Sequence, residues 1–109
     1  MEIAARKHGP LLEVTVMENR IDAACAIQFK ERMREVTETP SDRVLLDLSQ
    51  VQFLDSSGLG AVVAVRKHLG EERPLDLTGL TPTVQKVFRL TRMDTVFTIL
   101  PSGGLRDAG

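Results

Sequence analysis

The stretch from Val44 to Leu69, VLLDLSQVQFLDSSGLGAVVAVRKHL, leaves the fewest choices for the fold. Val44 to Leu48 is a nearly continuous apolar run interrupted by Asp47, the pattern of a strand covered on both faces. After Gly58 the apolar spacing turns helical: Leu59, Val62, Val63 and Leu69 share one face, with the stem of Arg66 beside them. The segment Asp55-Ser56-Ser57-Gly58 therefore opens a helix directly after a strand and a short loop. Two hydroxyls sit where a strand's carboxyl end gives way to a helix's amino end. In open α/β sheets that edge is where ligand and partner sites lie.

The flanking chain supplies the rest of an α/β pattern. Glu2 to Lys7 and Leu11 to Met17 read as two strands joined at His8-Gly9-Pro10, the second alternating Leu12, Val14 and Val16 with Glu13 and Thr15. Asn19 follows, a residue that tolerates the left-handed conformation. Asp22 is the expected N-cap of a helix from about Ala23 to Val36, with Ala26, Phe29, Met33 and Val36 facing inward. Thr39-Pro40-Ser41-Asp42 breaks the chain before the Val44 strand. Beyond the central helix, a loop at Gly70 to Pro74 leads to a strand at Leu75 to Leu77. Thr81-Pro82 then gives an N-cap and a first-turn proline for a helix carrying Val84, Val87, Phe88 and Thr91. Val96 to Leu100 is the last expected strand, and residues 101–109 are expected to form a flexible tail.

The expected order is β-β-α-β-α-β-α-β. It implies right-handed crossovers and a mainly parallel sheet of four to five strands with packed helices. At 109 residues the chain forms one domain, placed at residues 1–100, which buries roughly two-thirds of its unfolded surface. The formal charge of −1 argues against nucleic acid or an anionic membrane as a partner chosen by bulk electrostatics. One cysteine, Cys25, excludes an internal disulfide and fits a reducing compartment. No secretory leader is visible in MEIAARKHGP, and no apolar run approaches a membrane span, so the expected localisation is cytoplasmic.

Catalytic readings are weak. A serine at a strand-to-helix turn invites comparison with a nucleophile elbow, yet no glycine lies just upstream of Ser56 or Ser57. His8 and His68, the only histidines, read as surface residues. Gly58-Leu59-Gly60 is half of a dinucleotide fingerprint, and neither a Walker motif nor metal-ligand spacing occurs. Arg66-Lys67-His68 reads as a cationic end that complements the helix dipole. Cys25 reads as packing, since no second cysteine or basic neighbour activates it. For Asp55-Ser56-Ser57-Gly58 two readings stand side by side. One is helix capping, worth about 1 kcal/mol per cap. The other is a regulatory phosphoacceptor: a phosphate carries about −1.5 to −2 charges, which a helix amino end tolerates and a docked partner need not.

The segment LLDLSQVQFLDSSGLGAVVAVRKHL closely resembles the signature of anti-sigma factor antagonists, bacterial members of the STAS domain family. Asn19-Arg20-Ile21-Asp22 stands where the family usually has Gly-x-Leu-Asp. Leu80-Thr81-Pro82-Thr83-Val84 followed by Val87-Phe88 looks like the family's last helix. Asn19 replaces the usual glycine, and Arg92 replaces a small residue after the last helix.

The resemblance implies a non-enzymatic switch protein. Its partner would be an anti-sigma factor that is also a serine kinase of the histidine-kinase-like ATPase fold, with ATP and Mg²⁺ on that kinase and no cofactor on this chain. A serine phosphatase would reset it. The first serine of the motif is the family's usual phosphoacceptor, which transfers to Ser56 with Ser57 as fallback. Asp55 would position the hydroxyl, Gly58 would leave amides free for phosphate, and Ser57, Leu59 and Asp22 would contribute to partner binding. Three rivals remain: a structural STAS subunit of a lipid-transport ABC complex, a small-molecule sensor, and a small hydrolase.

Overall fold

A computed structural model describes residues 1–101. Its main sheet has five strands: β1 (Ile3–His8), β2 (Leu11–Val16), β4 (Arg43–Asp47), β6 (Leu75–Thr78) and β7 (Thr98–Leu100), in spatial order β1-β2-β4-β6-β7. β1 is antiparallel to β2, and every other pairing is parallel. The helices are α1 (Ala26–Val36), α2 (Ser56–Leu69) and α3 (Pro82–Leu90). The expected tail at 101–109 lies, apart from Pro101, outside the described residues.

From β2 onward each crossover steps to the next parallel neighbour in the same direction. Right-handed connections then put all three helices on one face of the sheet. The core agrees. Leu12, Val14, Val16, Val44, Leu46, Leu75 and Leu77 pack with Phe29 and Met33 of α1, Val62 and Val65 of α2, and Val84 and Phe88 of α3. Phe97 closes this core, meeting Phe88 edge to face with ring centroids 5.7 Å apart.

The Val44 strand is buried on both faces, as expected, but only one of those faces belongs to the apolar core. Leu45 is buried but stands apart from the main core, in a ladder row with Glu13 and Asp76. On this second face the row carries ion pairs: Arg43 pairs with Asp76, and His8 lies 3.6 Å from Glu13. A sheet wound in one direction needs a continuous apolar face on one side only.

Several boundaries also move. α1 starts at Ala26, not Ala23, and its N-cap is Cys25. Asp22 instead accepts the Ala24 amide at 3.1 Å, which organises the turn before the helix. Asn19 is not left-handed; its carbonyl accepts from the amides of Gln52 (2.7 Å) and Phe53 (3.2 Å). Among the described residues the only non-glycine at positive φ is Arg92 (62°), so there the missing small residue does carry backbone strain. Thr81 is the N-cap residue of α3 with Pro82 opening the helix, as expected, but its hydroxyl donates to the Val51 carbonyl at 2.7 Å and makes no cap bond. A single 3₁₀ turn, Met93–Thr95, shortens the last strand to Thr98–Leu100. On α2 the inward face runs through Leu59, Ala61, Val62, Val65 and Leu69, with Val63 only half-buried.

Two further strands were not anticipated. β3 (Arg20–Ile21) and β5 (Phe53–Leu54) form a two-residue parallel ladder pairing Arg20 with Phe53 and Ile21 with Leu54. This ladder delivers the chain into α2.

Candidate functional site

Asp55 leaves β5 in extended conformation (φ −98°, ψ −174°), as an N-cap does, and α2 begins at the next residue. Both of its carboxylate oxygens accept backbone amides. Oδ1 takes the Gly58 amide at 2.8 Å, closing the first turn, and Oδ2 takes the Ala23 amide at 3.1 Å. The second bond spans 32 residues of sequence and ties the turn before α1 to the mouth of α2. Sequence assigns Asp55 to positioning the acceptor hydroxyl; in the structure its carboxylate oxygens bond to these two amides, and it holds two loops together.

Gly58 also has a different role from the expected one. Its amide is engaged by Asp55, and the residue is buried. A Cβ there would lie 1.9 Å from the Ile21 carbonyl oxygen, so the glycine exists to let α2 press against β3. Leu59, expected to contribute to partner binding, faces the core.

Ser56 and Ser57 are what this framework presents. Both are exposed, and neither hydroxyl has a hydrogen-bond partner among the described residues. Their amides are the first two of α2, which have no intrahelical acceptor. The same exposed side of α2 continues through Gly60, which has nothing within 4 Å of where a Cβ would be.

Asp22 reaches this corner through the β3–β5 ladder. Its oxygens engage the Ala24 amide and, at 3.4 Å, Arg20. Cys25 stands beside it, with Sγ 3.5 Å from Asp22 Oδ1. Burial, and then the Asp22 and Glu18 carboxylates, hold that thiol above its ordinary pKa, so it is a poor nucleophile.

Sequence reasoning missed two residues here. Phe53 is 45% exposed, unusual for an aromatic ring, and Arg20 stacks over it with Cζ 5.7 Å from the ring centroid. Only the ladder reveals the pair. Nothing in VQFL says which apolar side chain points outward.

Neither histidine lies beside these serines: His68 is twelve residues beyond Ser56 on α2, about 18 Å along the axis, and His8 is on the opposite face of the sheet from the helices. Among the described residues no three metal-ligating side chains gather, and no helix is long and apolar enough to cross a membrane.

Comparison with known proteins places this geometry. A family model described as "Mlab, STAS domain" matches residues 4–101. A STAS-domain containing protein of Pseudomonas aeruginosa is 30% identical over 91% of this chain and 99% of its own length. The anti-sigma-B factor antagonist of Listeria monocytogenes is 35% identical over 72% of this chain and 70% of its own. The crystal structure of an anti-sigma factor antagonist from Mycobacterium paratuberculosis superimposes with a TM-score of 0.82 at 26% identity, covering 93% of this chain and 86% of that one. The fold thus has a solved counterpart, and the chain belongs to the STAS domain family.

Proposed function

We propose that this chain is an anti-sigma factor antagonist acting by partner switching, with Ser56 as its phosphoacceptor. Unphosphorylated, it binds an anti-sigma factor that is also a serine kinase of the histidine-kinase-like ATPase fold. ATP and Mg²⁺ belong to that kinase. Phosphorylation of Ser56 releases the complex, and a serine phosphatase restores it. The docking surface comprises Ser56, Ser57, the small-residue side of α2 at Gly60, and the exposed ring of Phe53.

One observation carries this reading. The Ser56 hydroxyl is exposed and has no hydrogen-bond partner among the described residues, while the cap around it is held by Asp55, so adding a phosphate costs neither a hydroxyl bond nor the helix cap. A helix amino end stabilises an anion by about 0.3–1 kcal/mol, so the scaffold gains slightly. A partner seated on the same spot must instead strip water from a dianion, a cost that the free protein, with the phosphate still solvated, does not bear. The asymmetry between fold and complex is what a switch uses. The kinship with the Listeria antagonist supports the same assignment.

The test is intact-mass analysis after incubation with ATP, Mg²⁺ and the cognate kinase, with fragment mapping to separate Ser56 from Ser57. One phosphoryl group on Ser56 is expected. In parallel, Ser56→Asp should bind the kinase at least tenfold more weakly while melting within about 2 °C of wild type, and Ser56→Ala should bind constitutively. Wild-type affinity in Ser56→Asp would end the switch reading.

The matching family model, described as Mlab, STAS domain, is the observation behind a second reading. In it the chain is a constitutive structural STAS subunit of a lipid-transport ABC complex. That reading requires copurification with an ABC-type ATPase and unmodified Ser56 in cells.

A further inference from the structure

We propose that Arg20 is the counter-ion that receives the phosphate of phosphorylated Ser56, leaving Asp22 and the Phe53 ring to do so. The inference rests on Ser56 as phosphoacceptor and adds how the charged product is held.

The segments that build this corner, residues 17–29 and 50–65, contain three carboxylates, Glu18, Asp22 and Asp55, and a single cation, Arg20. A dianion placed there meets a neighbourhood that is already acidic, with one side chain able to offset it. β3 pairs Arg20 with Phe53, three residues before Ser56, and the Ala23 amide sits on Asp55 itself. Arg20 is thereby brought alongside the segment that enters the first turn of α2. α3 also packs on β5 and carries Lys86 and Arg89, both exposed, but neither belongs to a strand laddered to β5.

The present partners of Arg20 hold it loosely. Its side chain is 62% exposed, and its Asp22 contact of 3.4 Å is well beyond the 2.7–2.9 Å of a strong charge-assisted bond. Asp22 is meanwhile engaged by the Ala24 amide. A phosphoserine offers about −1.5 to −2 charges and three acceptor oxygens in a geometry that matches the guanidinium fork. The exchange gives up a long monovalent contact for a divalent one.

Phosphoserine installed at position 56 during translation gives the modified protein without any kinase. Titration of its ³¹P resonance then reads the second phosphate ionisation. In wild type the midpoint should lie lower than in Arg20→Gln by roughly 0.2–0.7, the range of an exposed ion pair. Arg20→Lys should fall between them, and Lys86→Gln should match wild type. Coincident midpoints for wild type and Arg20→Gln, or a shift produced by Lys86→Gln instead, would overturn the assignment. Because the phosphate is built in, this outcome is separate from the kinase assay. A chain that no kinase modifies refutes the functional reading and still yields an interpretable titration.

Discussion

Two glycines on one helix, two residues apart, should respond to alanine with opposite signs. At Gly58 the added Cβ would lie 1.9 Å from the Ile21 carbonyl oxygen and 2.8 Å from both its carbon and Leu54 Cδ1. Ordinary contact begins near 3.4 Å, so the Ile21 carbonyl must retreat by more than an ångström. Ile21 is fully buried and laddered to Leu54, which leaves it no free direction. Overpacking of this kind costs about 1–3 kcal/mol, against at most about 1 kcal/mol gained in helix propensity. The gain is smaller still in a first turn. Gly60 meets nothing within 4 Å, so Gly60→Ala keeps the propensity term and should stabilise by about 0.5–1 kcal/mol. The two variants should therefore differ by roughly 1–4 kcal/mol, or on the order of 10 °C in Tm for a domain of this size. Urea denaturation followed by far-ultraviolet circular dichroism, with m held common, measures this directly. A Gly58→Ala midpoint at or above wild type, or a Gly60→Ala midpoint below it, would refute the packing argument.

Arg73 joins two loops that are distant in sequence. Its guanidinium donates to the carbonyls of Thr37 (2.7 Å), Thr39 (3.0 Å) and Ser41 (3.0 Å) and to the Ser41 hydroxyl (2.9 Å). Arg73→Ala should cost about 1.5–3 kcal/mol by urea denaturation, and Arg73→Lys should recover little because an ammonium cannot span those acceptors. An Arg73→Ala protein as stable as wild type would show that the clamp contributes nothing. Arg92, at φ 62°, should be improved by glycine: Arg92→Gly is expected to raise stability by about 0.5–1 kcal/mol, seen as a higher melting temperature. A lower one would mean that the arginine side chain stabilises the turn more than its backbone strains it.

The helix opening at Ser56 was legible because its determinants are local. An apolar run, a capping aspartate and a change of period lie within one stretch of chain, and the parallel sheet followed from strands alternating with helices. The errors came where a side chain had a distant alternative. Asp22 caps a turn and not α1, and the Thr81 hydroxyl turns to Val51. Leu45 looked like half of a two-sided core because composition does not record which face the crossovers choose.

The site divides along the same line. Sequence alone determined that two serines stand at a helix mouth behind an aspartate, since capping chemistry and periodicity are short-range. Tertiary structure alone decided what surrounds them. A two-residue ladder between segments some thirty residues apart sets Arg20 on Phe53, brings Ala23 to Asp55, and presses Ile21 against Gly58. Such contacts arise from long-range backbone pairing, and two-residue strands carry too little pattern to announce it.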